Sequence, residues 1–215
     1  MKKVFSAIVA IMICAVSFNA TAQNSKALEK QLKKEYKTKM KEYNKEGWKI
    51  FGSSRTLEVL LLKHYEARDK DGVLEIFATT ESTSQNIGSD KLEMIASTKY
   101  AKQAGMKVKG RIVEDMGSNI TSEEVEEFEH FYEAYEASIE KEIRGELKLS
   151  YALYKQKNIA GKDGYEFRAF YLVDEEAATK ARIRAFQNAA RESEIAQKYA
   201  EKVSDFIQEG FTVNE

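Results

Sequence analysis

The chain has 215 residues, with 34 lysines and arginines against 35 aspartates and glutamates, one cysteine and no proline. A formal charge of −1 makes no electrostatic case for nucleic-acid binding, and a single cysteine excludes an internal disulfide framework. With neither proline nor a Gly/Ser-rich run there is no linker signature, so one folded domain is the expectation.

Met1-Lys2-Lys3, an apolar run to Phe18 and Ala20-Thr21-Ala22 form the pattern of a secretory signal peptide over residues 1–22. Its apolar stretch is shorter than the roughly 20 residues that a bilayer span needs. Small residues at Ala20 and Ala22 place cleavage between Ala22 and Gln23. Cys14 is preceded by Ile11-Met12-Ile13, and the branched Ile13 does not fit a lipidation site, so the leader reads as non-lipidated. Residues 23–215 then carry no cysteine, which excludes a thiolate nucleophile and a cysteine metal site. Losing Lys2 and Lys3 moves the formal charge from −1 to −3. Export to the periplasm is expected, with outer-membrane association or secretion as the wider alternatives. No second apolar stretch approaches membrane-spanning length, so no transmembrane segment is expected after cleavage.

Residues 23–46 predict an amphipathic basic helix, with Leu28, Leu32, Tyr36, Met40 and Tyr43 on one stripe. Its lysines ring the other faces, interleaved with glutamates. Solvation, peripheral contact with acidic lipid, or pairing with an acidic helix would each suit them. Residues 47–215 read as a single α+β domain with a long C-terminal helix. Gly47–Gly52 is a short edge strand or turn. Ser53 or Ser54 is expected to cap a helix over about 55–69, with Leu57, Leu60, Leu61 and His64 on its apolar face. Val73–Ser82 alternates Leu74, Ile76 and Ala78 as a strand does.

Ser89 or Asp90 opens a second long helical pattern reaching about Met116, with Ala96, Ala101, Ala104 and Gly105 on its packing face. Met106–Val113 fits helix or strand, the upstream pattern favouring helix. Gly117–Ile120 is a connector, and Thr121-x-x-Glu124 is a capping box. Val125, Phe128, Tyr132, Tyr135 and Ile139 then mark a helical seam, so the two helices should form an αα-hairpin. Leu147, Leu149, Tyr151 and Leu153 alternate, as do Tyr165, Phe167, Ala169, Tyr171 and Val173. With a loop at Asn158–Gly164 these predict an antiparallel hairpin. Asp174 caps a final helix through about Glu209. At about 54 Å such a helix either bends near Glu192-Ser193 or projects.

His64 and His130 lie far apart on different helices and read as packed or solvated rather than as ligands. The glutamates of residues 123–142 read as a solvated face. Asp69-x-Asp71-Gly72 lacks the remaining oxygens of a calcium loop. Gly161-Lys162-Asp163-Gly164 has no helix behind it, so it is a hairpin loop and not a phosphate cradle. No catalytic residue, metal site or cofactor is assigned. Tyr151, Tyr154, Phe167 and Tyr171 are the candidate ligand groove, or else simply the sheet's core face.

An alanine-studded helix over Lys91–Met116, an intervening helix, a hairpin ending Tyr165-Glu166-Phe167-Arg168-Ala169-Phe170-Tyr171-Leu172-Val173 and a following helix resemble the LPP-twenty lipoprotein family over residues 72–190. The resemblance implies an envelope-associated α/β sandwich related to domains of flagellar accessory proteins, and it brings no catalytic residues. The expected architecture is α+β, a small antiparallel sheet of three to four strands packed by long helices, with an αα-hairpin and long terminal helices. The expected function is that of an exported, non-enzymatic envelope protein acting through another envelope protein or self-association. The alternative is a periplasmic small-ligand-binding protein using the aromatic face of the hairpin.

Overall fold

A computed structural model describes residues 30–116, 121–191, 193–198 and 200–208. The leader, its Ala22–Gln23 junction, Leu28, the Gly117–Ile120 connector and Glu209 lie outside the described residues. Helix α1 (30–45) leads into β1 (Lys49–Phe51), α2 (Leu57–Arg68) and β2 (Val73–Ser82). Two long helices follow, α3 (Gln85–Met116) and α4 (Ser122–Arg144). Strands β3 (Lys148–Ile159) and β4 (Lys162–Asp174) precede α5 (Glu175–Ala190), α6 (Glu194–Lys198) and α7 (Ala200–Gln208). The protein is α+β, with one four-stranded antiparallel sheet in the order β1-β3-β4-β2.

Alternation along the strands gives the sheet two apolar faces. Leu74, Ile76 and Ala78 of β2 pair with Val173, Tyr171 and Ala169 of β4. These side chains face α3, α4, α5 and α7 in the larger core. Ile50, Tyr151, Leu153 and Phe170 point the other way and meet α1 and α2 in a second core with Tyr36, Tyr43, Trp48, Leu60 and Leu61. The N-terminal helix therefore packs on the domain and does not project. Its stripe survives as Leu32, Tyr36, Met40 and Tyr43, all used inside the chain.

Helix starts follow side-chain chemistry closely. Thr121 and Glu124 form the expected capping box, and Asp174 Oδ1 accepts the backbone hydrogens of Glu176 and Ala177. The start of α2 corrects the expectation. Ser53 Oγ is occupied by the Arg55 N–H, and Thr56 accepts from Val59 as the cap. Helix α3 begins at Gln85, about one turn before Ser89, and Met106–Val113 is helical within it. Gly88 explains the early start: a Cβ there would lie 2.4 Å from the Phe167 ring, so only glycine lets this turn cross the sheet.

The αα-hairpin is formed by α3 and α4, with Tyr132 over Gly105 and Lys109 on Glu129. Its seam on α4 is Phe128, Phe131, Tyr135, Ile139 and Ile143, whereas Val125 is exposed. Among the described residues, the ion pairs of the acidic helix run to partners other than the basic one. Glu124, Glu129 and Glu142 reach Lys198, Lys109 and Arg184, all on the helical side of the sheet. The long C-terminal helix is broken, and Ser193 Oγ caps the restart by accepting from Ala196. Val203 and Ile207 of α7 then turn back into the larger core.

Two features of the β3–β4 hairpin depart from plain alternation. Pairing steps from Leu149↔Tyr171 to Tyr151↔Phe170, leaving Ser150 as the extra residue of a β-bulge. The bulge reverses the facing of the strand: Leu147 meets the larger core, Tyr151 and Leu153 the smaller one, and Leu149 is 54% exposed. The loop is also shorter than expected. Asn158 pairs with Asp163 and Ile159 with Lys162, so only Ala160 and Gly161 turn, at φ 49° and 83°. Two positive φ values suit the right-handed twist of the strands.

Candidate functional site

The bulge splits the aromatic set predicted from alternation. Tyr154, Phe167 and Tyr171 face the larger core, where Phe167 and Tyr171 are buried beneath helices, so these three form packing and not a groove. Tyr151 alone lies on the opposite face, where a cleft of about 290 Å³ opens between the sheet and helices α1 and α2.

Four short spacings build this cleft. Glu35, Lys39 and Tyr43 recur every four residues, which puts them on one face of α1. On α2, His64 and Arg68 are likewise four apart, with Tyr65 beside them. Glu75 and Phe77 are alternate residues of β2, and Arg168 and Phe170 are alternate residues of β4, so all four point to the same side of the sheet. Phe170 stacks on Tyr151 at 4.5 Å and lies against Phe77 at 5.0 Å, giving the cleft an aromatic floor.

His64 is the most constrained polar group here, 2% exposed and edge-on to Tyr65, Tyr151 and Phe170. Its Nε2 lies 3.0 Å from Glu75 Oε2, and its Nδ1 lies 3.0 Å from Ser150 Oγ. A carboxylate only accepts, so Nε2 carries the hydrogen and donates to Glu75, while Nδ1 and the Ser150 hydroxyl share the second hydrogen bond. The bulge thus supplies the hydroxyl that completes the imidazole's partners. Ser150 itself is not among the residues that line the cleft.

Charges of both signs converge above the floor. Arg68 reaches Glu35 at 3.3 Å and Glu75 at 3.9 Å while lying 4.4 Å over the Tyr65 ring. Arg168 pairs with Glu166 at 3.4 Å and lies 4.2 Å from the Trp48 ring centre. Lys39 pairs with Glu42. Burial pushes the Glu75 carboxyl up, but the hydrogen bond and charge of His64 together with Arg68 outweigh it and hold the group below its ordinary value. Burial pushes the Tyr65 hydroxyl up to about 12, so it stays protonated. The Tyr43 and Tyr151 hydroxyls lie 3.4 Å apart, and burial raises Tyr151 as well.

No family model matches the chain, and no curated protein or solved structure matches it at a significant level. The site therefore stands on its own geometry. Among the described residues no group of three or more histidines, cysteines and carboxylates is placed to hold a metal ion, and no helix is long and apolar enough to cross a membrane.

A second hollow of about 410 Å³ runs between α4 and α5, where His130, Ser138 and Asn188 meet Phe131 and Ala134. It is larger, yet its internal polar contact, Ser193 Oγ to Glu127 Oε1 at 2.9 Å, ties α6 to α4. None of its lining residues is a buried ionisable group. A few convergent polar groups over an apolar floor distinguish binding sites from packing grooves, which favours the cleft beneath α1 and α2. Its clearest sequence signal was His64 within a leucine stripe, a polar group that burial obliges to find partners. The bulge at Ser150, the fully buried Arg182 and the facing of Arg168 had no comparable signal.

Proposed function

We propose that the chain is an exported, non-enzymatic cell-envelope protein that binds a small molecule in the cleft between α1, α2 and the sheet. The observation that carries this reading is the buried His64, held at both nitrogens beside opposite charges and the Phe77–Phe170–Tyr151 floor. Export rests on the leader pattern of residues 1–22.

Thermal unfolding of the exported chain against a fragment panel tests the reading. Expected is stabilisation by a subset of fragments that Phe77→Trp, which fills the cleft, abolishes. Stabilisation that survives this substitution, or none from any fragment, overturns it.

Association with a second copy or another envelope protein is the second reading. The long terminal helices that suggested it spend their apolar faces inside the chain. Its remaining support is Met106, Val113 and Val125, which are 60%, 52% and 41% exposed on the αα-hairpin. Sedimentation equilibrium of the parent chain and of Met106→Lys/Val113→Lys tests it. A parent that stays monomeric and unchanged by the substitutions removes the self-association form.

A further inference from the structure

We infer that the ligand of this cleft is a small zwitterion bearing a flat apolar group, the chemistry of a free aromatic α-amino acid; the inference rests on the binding reading above. Three observations point to it.

The first is charge balance. Arg68 bridges Glu35 and Glu75 across the cleft, a single cation shared by two carboxylates. A simple anion seated on Arg68 would draw it from both carboxylates and leave them half-buried without a counter-charge. A simple cation seated on Glu75 would compete with Arg68 for that carboxylate and leave the guanidinium to Glu35 alone. Arg68, Glu35 and Glu75 are 31%, 43% and 27% exposed, so separating them costs less than breaking a buried pair, yet it leaves a partly desolvated charge uncompensated. A zwitterion avoids that cost, since its carboxylate takes the guanidinium while its ammonium takes the freed glutamates.

The second is preorganisation. Arg68 is held over the Tyr65 ring, its guanidinium carbon 4.4 Å from the centroid, and a guanidinium can offer two parallel N–H donors to a carboxylate. Glu75 is held by His64, whose own ring is fixed by Ser150 and three aromatic rings. Donor and acceptor are therefore presented by side chains whose rotamers are already chosen. That lowers the ordering cost of binding.

The third is floor and size. Phe77 and Phe170 are half-buried and line the cleft, so a flat apolar group has a surface on which to stack. A volume of about 290 Å³ is at the small end of ligand pockets, which suits a single amino acid better than a peptide or a nucleotide.

Calorimetric titration of the full exported chain with four probes tests the inference. The probes are phenylalanine, 3-phenylpropanoate (no ammonium), phenethylamine (no carboxylate) and alanine (no ring). Phenylalanine is expected to bind at least about tenfold more tightly than each of the others. Glu75→Gln should weaken phenylalanine and phenethylamine while sparing 3-phenylpropanoate. Arg68→Lys, which keeps the positive charge at the ion pairs, should weaken phenylalanine and 3-phenylpropanoate while sparing phenethylamine. A singly charged probe that matches phenylalanine overturns the inference, as does a variant that weakens all probes equally. If none of the four binds while the fragment panel still gives cleft-dependent hits, the ligand class is wrong and the binding reading stands. If the panel is silent as well, both fall.

Discussion

Glu75 accepts the Nε2 hydrogen of His64 at 3.0 Å, and this one contact ties α2 to the edge strand β2 beside the cleft. Burial raises the Glu75 carboxyl, but its partners His64 and Arg68 lower it further, so its folded-state value lies below the ordinary 4.5. The stability this group contributes is therefore complete above the unfolded-state value and is lost as the pH falls through the lower folded-state value. Glu75→Gln should unfold at a lower temperature than the parent near neutral pH, with the gap narrowing as the pH falls below the ordinary 4.5. Thermal scans of both proteins across the acid range check this. A gap independent of pH would assign the effect to packing instead.

Gly88 and Phe167 hold α3 against the sheet. A Cβ at Gly88 would lie 2.4 Å and 2.6 Å from two carbons of a ring that is fully buried. Gly88→Ala should destabilise by about 1–3 kcal/mol through overpacking, despite alanine's better helix propensity. Pairing it with Phe167→Leu should recover part of the loss, because the smaller side chain makes room. Urea unfolding of the two single variants and the double variant measures the coupling.

Ala160 sits at φ 49° in the hairpin turn, a conformation that costs an L-residue with a Cβ about 1–2 kcal/mol. Asparagine tolerates it and suits the first position of a type I′ turn before Gly161. Ala160→Asn should stabilise the protein by about 1 kcal/mol. Asn158→Ala should act in the opposite direction, since the Asn158 side chain accepts the Gly161 N–H at 2.9 Å. Chemical denaturation at fixed pH reads both effects.

Arg182 is fully buried and hydrogen-bonds Glu175, the Tyr100 hydroxyl and Thr179, joining α5 to α3. Arg182→Ala leaves the Glu175 charge without this partner and should cost about 3–5 kcal/mol. Arg182→Met with Glu175→Gln should be much milder, because the double change removes both charges and keeps most of the volume. A double variant as unstable as Arg182→Ala would show that packing around the guanidinium dominates, and denaturant midpoints distinguish the two cases.

Local physics was legible before any tertiary contact was known. The capping box at Thr121–Glu124, the Asp174 cap, the bounds of β2 and the stripe of α1 each depend on side-chain chemistry or periodicity within a few residues. What the chain itself could not reveal were features decided by elements distant along it. The bulge at Ser150 reverses Tyr151 because β4 sets the register, and that reversal dissolves the predicted set Tyr151, Tyr154, Phe167 and Tyr171. Gly88 reads locally as a poor helix residue and becomes necessary only beneath Phe167. Periodicity showed that α1 has a face to bury, whereas the second face of the sheet decided where it goes. The cleft belongs to this second class: its charges come from α1, α2, β2 and β4, and only their packing brings Glu35, Arg68, Glu75 and Arg168 together.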